Sequence, residues 1–596
     1  MKAFFKSFFA SLTALVVFAG IGFVFLIGIV AAMGPSTPKV PSRAVLVLDL
    51  SQPIPDSAQD SGPAAAIQKA MQGGGGEGTP LPVLLNALDR AAKDDKISAL
   101  FLTGNVQSAG YASGPAALKE LREAIQAFKA NSGKPVIAYN LAYTKKDLYL
   151  CGGATTVFVH PMGGLDVTGF TSEPMFFAGA MKKYGVEMQI TRVGKYKSAV
   201  EPYFLEKMSD ANREQTQMFL GDIWDEWKAT VASDRKLKPE DIQRLADEKG
   251  EVLSPEALQA KLVDRIANYD EVLDELKKIS GKAAKDKEFP QIDMDTYVKI
   301  PGESAKGKNR IAVVYAEGEI VDGEGQGNQI GGESLSRELR KLRLDKNVKA
   351  IVFRVNSPGG SATASELIQR EVILCKAAGK PVVVSMGYVA ASGGYWISTY
   401  ADRIFAEPNT ITGSIGVFGT LPNVKKLANE HGITWDSVQT AKLGVPSLAR
   451  PRTPEELARI QAIVDGIYDQ FLTKVAEGRK LKKDVVAEIA QGRVWSGKAA
   501  LKIGLVDEMG GLRDAIKHAA KLAKIEKDYR VDAPEAAKDP MEKLLKLLGK
   551  GENRKLVKQG PVDELKAHFE RSLVMLKSLN DPQGVYARLP FDLNLK

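Results

Sequence analysis

The chain has 596 residues, 81 Lys and Arg against 72 Asp and Glu, a net charge of +9, four histidines and two cysteines. At about 100–200 residues per domain this length holds several folding units, and 44% hydrophobic with 26% charged residues excludes wholesale disorder. Cys151 and Cys375 make neither a disulfide framework nor a thiolate-rich zinc site, and the four histidines form no HxxxH or HExxH pair. The mild basic excess has no aromatic-interleaved cluster, so the sequence implies neither a cofactor nor a nucleic-acid partner. Hydrolytic chemistry in such a chain calls for a base other than histidine.

Residues 8–33 carry no charge and are rich in Phe, Leu, Val and Ile. At 1.5 Å per residue the run is long enough to cross a hydrocarbon core of ~30 Å, and it exceeds the ~7–15-residue apolar region of a cleavable signal peptide. Residues 1–42 therefore predict an uncleaved membrane anchor with a proline-bearing spacer. The flanking Lys2, Lys6, Lys39 and Arg43 orient it only weakly.

After the anchor the chain repeats itself. Gly133-Lys134-Pro135-Val136 recurs as Gly379-Lys380-Pro381-Val382, and Tyr149 recurs as Tyr395. Phe158 and Pro161 recur as Phe405 and Pro408, Arg235-Lys236-Leu237-Lys238 as Arg479-Lys480-Leu481-Lys482, and Leu262-Val263-Asp264 as Leu505-Val506-Asp507. The offset stays near 245 residues throughout, which marks a tandem duplication. The first unit is residues 43–280, the linker 281–308, the second unit 309–530, and a charged, helical tail fills 531–596. Each unit opens on a β-rich run (44–50; 311–315) and continues with a second (99–102; 350–355). A helical pattern follows (116–130; 365–378), then a third strand (135–139; 381–385) and a mostly helical back (210–280; 453–524). Short apolar strands alternating with helices predict α/β units with largely parallel, buried sheets.

The units differ where chemistry would sit. In the second, Ala390-Ala391-Ser392-Gly393-Gly394-Tyr395 falls where a strand gives way to a helix. Small residues around a serine permit a tight turn that presents its hydroxyl, the steric logic of a nucleophile elbow; the bland alternative is a helix-capping serine. The matching position in the first unit is Lys146, with no serine and no glycine pair beside it. Asn356-Ser357-Pro358-Gly359-Gly360 follows the second strand of the second unit, and its glycines could offer bare N–H groups to an oxyanion or simply form a Gly-rich turn. The first unit instead holds Lys197 in Tyr196-Lys197-Ser198-Ala199, where the second unit has Gly444. Alone, Lys197 reads as a surface lysine; a serine kept in one unit and a lysine in the other read as complementary halves of one site. In a dry pocket a lysine loses charge and can act as a base.

These residues resemble the bacterial signal peptide peptidases, specifically the long, duplicated A type. The resemblance runs from the anchor through both units and rests on residues 356–360, 390–395, the Thr-Gly-Ser-Ile-Gly-Val at 412–417 and the Tyr-Lys-Ser-Ala-Val-Glu-Pro at 196–202. It implies a ClpP/crotonase-like fold in each unit, Ser392 as nucleophile and Lys197 as general base. It also implies Gly359 and Gly360 at the oxyanion hole, with Ser414 hydrogen-bonded to the lysine. By the same resemblance the protein is a homotetramer, held by one membrane span in the bacterial inner membrane and facing the periplasm. Its substrates would be signal-peptide remnants and other apolar peptides. Two other classes stand beside this one: a crotonase-fold acyl-CoA enzyme, which needs no serine–lysine pair, and a non-catalytic membrane scaffold.

Overall fold

In a computed structural model of the chain, the described residues are 13, 17–18, 38–57, 78–107, 111–283, 285–300, 307–443, 447–531 and 585–589. The expected anchor at 8–33 lies outside them apart from Thr13, Val17 and Phe18. Among the described residues no helix is long and apolar enough to cross a membrane.

Runs rich in Val, Leu, Ile and Phe become the inner strands, buried on both faces, while short two-residue strands sit exposed at one edge of each sheet. In the first unit Ala44–Asp49, Ile97–Thr103, Val136–Asn140, Thr156–Val159 and Arg265–Ile266 lie side by side in that order. Every one of these pairings is parallel. In the second unit Asn309–Glu317, Val348–Ser357, Val382–Ala391, Arg403–Ala406 and Glu508–Met509 repeat the order, again all parallel. The duplication thus holds at the level of sheet topology. Helices cover each sheet: Leu81–Lys93 and Pro115–Ser132 in the first unit, Gly332–Leu344 and Ala362–Ala377 in the second. Pro115 starts its helix at a position where the missing N–H costs nothing, and Gly133 ends it at φ 66°. Leu118, Leu121, Ile125 and Phe128, at helical spacing, face the core beneath.

Two segments depart from the sequence-based expectation. The stretch read as a linker, 281–308, contains a strand, Gln291–Asp293, that adds to the edge of the first sheet beside Ala44–Asp49, followed by the helical turn Met294–Tyr297. Ile292, Met294 and Tyr297 are buried there, so short apolar spacing inside a charged stretch sufficed to fold it. The tail, read as helical, contributes the strand Val585–Arg588.

That strand belongs to a third sheet that joins the two units. Its order is Gln329–Gly331, Glu319–Val321, Gly359–Ser361, Val585–Arg588, Phe418–Asn423 and Glu187–Arg192. Only Glu187–Arg192 comes from the first unit, and it pairs antiparallel with Phe418–Asn423 from Arg192↔Phe418 to Glu187↔Asn423. The chain that follows it enters the second unit carrying Lys197.

Candidate active site

Val382–Ala391 is a ten-residue buried strand rich in Val and Ala, and it stops at Ser392. Ser392 has φ 56° and ψ −113°, a backbone conformation that a residue with a β-carbon adopts at a cost of about 1–3 kcal/mol. The Ser392 amide donates to the Gly413 carbonyl at 2.8 Å, and its carbonyl accepts from the Trp396 amide at 2.7 Å. These bonds fix the sharp strand-to-helix turn from both sides. Two glycines then allow the short helix Gly393–Trp396 to pack against the neighbouring strands, and a β-carbon on Gly394 would stand 2.6 Å from the Ser357 carbonyl oxygen. The Ser392 side chain makes no capping bond to that helix, so its hydroxyl is free for another partner.

That partner is Lys197. Its Nζ lies 2.8 Å from Ser392 Oγ, 2.9 Å from Ser414 Oγ and 3.1 Å from the Ser414 carbonyl oxygen. Lys197, Ser392 and Ser414 are all fully buried. The lysine reaches this point because the strand pairing continues past Arg192: the Val193 amide donates to the Val417 carbonyl and the Tyr196 amide to the Gln491 carbonyl. Gly492 faces the lysine so closely that a β-carbon there would sit 2.6 Å from Lys197 Cβ. Burial, and then the nearby Arg588 guanidinium, hold the Lys197 ammonium well below the ordinary lysine range. Among the described residues no carboxylate balances it at bonding distance, so the side chain is set up to exist without its charge.

Behind the lysine a polar network anchors the turn. Gln215 Nε2 donates to the Tyr196 carbonyl at 2.9 Å and to Ser198 Oγ at 3.0 Å, while Gln215 Oε1 accepts from the Val494 amide of the second unit. Ser198 Oγ donates to Asn212 Oδ1 at 3.0 Å, and Asn212 and Ser209 hold the buried Glu201. Sequence reasoning missed Asn212 and Gln215. They stand three apart on the helix Asp210–Arg235 and carry no motif.

Gly359 and Gly360 follow the strand Val348–Ser357 with φ 97° and 156°. A β-carbon on Gly359 would lie 2.6 Å from the Gly393 nitrogen, which brings the amide following Ser392 into the same small space. In a nucleophile elbow that amide is the ordinary oxyanion donor. Gly393 was thus readable from the turn itself, although the sequence pattern drew attention only to the glycines at 359 and 360.

The histidines offer no rival base among the described residues. His160 Nδ1 accepts from the Met162 amide, His431 bonds the Leu427 carbonyl on an exposed helix end, and His518 packs edge-on against Phe405. The first unit's counterpart of the serine turn is the helix Lys145–Cys151, capped by Thr144 through Asp147, with no hydroxyl presented.

The model of peptidase family S49 matches residues 128–283 and 375–526, one segment in each unit. The chain is 36% identical to "Protease 4" of Salmonella typhi over 507 residues, covering 83% of this chain and 81% of that protein. It is 35% identical to "Protease 4" of Haemophilus influenzae over 595 residues, covering 95% and 94%. To "Serine protease SPPA, chloroplastic" of Arabidopsis thaliana it is 33% identical over 470 residues, covering 77% and 68%.

Proposed function

The chain belongs to peptidase family S49 and is a serine protease, and from that premise we propose that Ser392 and Lys197 form its catalytic dyad, acting on apolar peptides. The observation that carries the reading is the 2.8 Å contact between Lys197 Nζ and Ser392 Oγ in a fully buried site. Neutral Lys197 takes the seryl proton as Oγ attacks a peptide carbonyl. The Gly359–Gly360 turn and the Gly393 amide stabilise the oxyanion, and the lysine passes its proton to the departing amine. Water then resolves the ester by the same route. Ser414 acts as the positioning residue, holding Nζ against the serine as the third member of a triad does. Each unit is assigned to the ClpP/crotonase type, supported by the resemblance and by the parallel strand order that the units share. Membrane attachment through residues 8–33, a periplasm-facing homotetramer and signal-peptide remnants as substrates rest on the same resemblance and on the apolar run. Membership of a peptidase family sets aside the acyl-CoA enzyme and the scaffold.

The test is to quench the protein during turnover of an apolar peptide ester and map the adduct by mass spectrometry. An acyl group on the peptide carrying Ser392 is expected; an adduct elsewhere, or none under turnover, overturns the reading.

The oxyanion assignment predicts a large effect for Gly359→Ala. At φ 97° a β-carbon is strained, and it would meet the Gly393 nitrogen at 2.6 Å. A displaced oxyanion donor costs about 10²–10³ in kcat. Steady-state kinetics on a peptide amide should show that fall mainly in kcat, with KM changed far less.

A further inference from the structure

One stretch of backbone, Gln491 to Arg493 ahead of the strand Val494–Ser496, touches the turns that carry both Lys197 and Ser414. On one side the Gln491 carbonyl accepts from the Tyr196 amide at 3.0 Å, and Gly492 packs against Lys197. On the other the Arg493 carbonyl accepts from the Ser414 amide at 2.7 Å, and the Gly492 amide donates to the Ile415 carbonyl at 2.7 Å. The strand that follows pairs antiparallel with Ile411–Gly413, from Gly413↔Val494 to Ile411↔Ser496. A β-carbon on Gly416 would lie 2.8 Å from Gly492 Cα and 3.3 Å from Lys197 Cδ, so the two turns and the strap between them leave no spare room. Where this strap lies sets the separation of Lys197 from Ser414.

A side chain fastens the strap to the lysine turn. Arg493 Nη1 donates to Tyr196 Oη at 3.1 Å, and its Nη2 meets Glu214 Oε1 at 3.0 Å. Tyr196 Oη in turn donates to Glu214 Oε2 at 3.1 Å, which closes a ring of three residues. The Arg493 guanidinium also stands 4.7 Å from the centre of the Tyr196 ring and 4.7 Å from that of Trp495. Tyr196, the residue before Lys197, is buried, whereas the Glu214 side chain is 54% exposed. An ion pair so open to water contributes little to stability. A planar fork that grips a hydroxyl and a carboxylate at once, and stacks on two rings, fixes geometry instead. Arg493 and Ser414 belong to the second unit, Tyr196 and Glu214 to the first. The ring therefore ties together the two halves that the dyad needs.

We infer that Arg493 is a positioning residue for the base: its side chain holds the turn that carries Lys197 while its carbonyl holds Ser414, and the two contacts together aim Lys197 Nζ at Ser392. This rests on the Ser392–Lys197 reading and adds a residue to it. Arg493 acts through Tyr196 and Ser414 rather than on the reacting atoms. Its loss frees the lysine turn to move relative to Ser414, and the 2.8 Å contact between base and nucleophile loosens with it.

The experiment measures kcat, KM and the pH profile on an apolar peptide amide, with thermal unfolding alongside, for the full-length protein and for Arg493→Met, Tyr196→Phe, Glu214→Gln and Lys197→Ala. Arg493→Met keeps the contact with Trp495 but loses the fork. It is expected to lower kcat by about 10-fold to 10²-fold, the scale of a misplaced catalytic group, with KM nearly unchanged. Its acidic limb should move to higher pH, because a lysine less tightly buried regains water and with it part of its ordinary basicity. Tyr196→Phe should act in the same sense, and the double variant should lose little more than Arg493→Met, since both remove one contact. Glu214→Gln changes a side chain open to water, so it keeps the fold and should show the same shifts on a smaller scale. A wild-type kcat and an unmoved acidic limb in Arg493→Met overturn the positioning role and leave the dyad standing. A loss of activity that only tracks loss of folded protein, with the limb unmoved in Tyr196→Phe and Glu214→Gln, overturns it as well. Hydrolysis at the wild-type rate in Lys197→Ala sinks the dyad reading instead.

Discussion

Lys197→Ala is expected to lower kcat for a peptide amide by about 10²–10⁴-fold, the range for a lost general base. Ser392→Ala should lose at least as much, and the double variant little more, because residues that act as one unit give non-additive losses. Lys197→Arg should not rescue activity. A guanidinium stays protonated and cannot accept the seryl proton. The pH profile separates a base from a merely structural lysine. Burial and the Arg588 guanidinium hold the Lys197 ammonium well below its ordinary range, so the acidic limb of kcat/KM should fall well below the ~10.4 of a free lysine. Activity that rises only near that value would refute the role. Stability moves with pH in the same direction. Between the lowered and the ordinary value the unfolded chain binds the extra proton, so wild type gains stability as pH rises through that window. Lys197→Met removes the buried amine, should unfold at or above the wild-type temperature, and should lose this dependence. Loss of activity without loss of stability is the signature of a functional burial.

Much of this arrangement was readable in the amino-acid order. The alternation of apolar runs and helical patterns gave α/β units, and the spaced recurrence of Gly-Lys-Pro-Val gave the duplication that the two parallel sheets repeat strand for strand. Ser392 stood out because small residues crowd around it, and Lys197 because its partner unit lacks it. What stayed hidden depends on contacts between units. Nothing local in Val585–Arg588 distinguishes four residues of a charged tail from a helix end; only the slot between Gly359–Ser361 and Phe418–Asn423 makes them a strand. Gln215 and Asn212 sit on a helix whose pattern serves packing, and their roles arise from the turn laid across them. Asp56, in a loop of the first unit, acquires its meaning only from an arginine almost 300 positions later.

That arginine carries the second large expectation. Arg354 lies on the central strand Val348–Ser357 of the second unit and is 1% exposed. Its Nη2 meets Asp56 Oδ1 at 2.8 Å and its Nη1 meets Glu120 Oε1 at 2.8 Å, and both carboxylates belong to the first unit. Asn356 donates to the other oxygen of Asp56, and the Leu512 amide to the other oxygen of Glu120. Burial pushes the Glu120 carboxyl up from its usual range while the guanidinium opposes it. Glu317 nearby is driven to about 8 by burial and by Asp56. One buried cation therefore holds apart several carboxylates that would otherwise repel and desolvate one another. Arg354→Met should cost about 3–5 kcal/mol, because it leaves buried charges without a partner. Chemical unfolding should register the loss, and it should be larger at pH 8 than at pH 5. The stranded carboxylates take up protons in the folded state as pH falls, which relieves the repulsion. Adding Asp56→Asn and Glu120→Gln to Arg354→Met should recover much of the stability, since a network stripped of all its charges costs less than one stripped of a single member. Peptide hydrolysis should follow stability through this series. Arg354 and Asn356 share Asp56, and Asn356 leads directly into the turn that carries Gly359, so the ion pair that joins the two units is expected to hold the proposed oxyanion donors in position as well. Equal stability of Arg354→Met and wild type across this pH range would show that the two units are held in register by apolar packing alone.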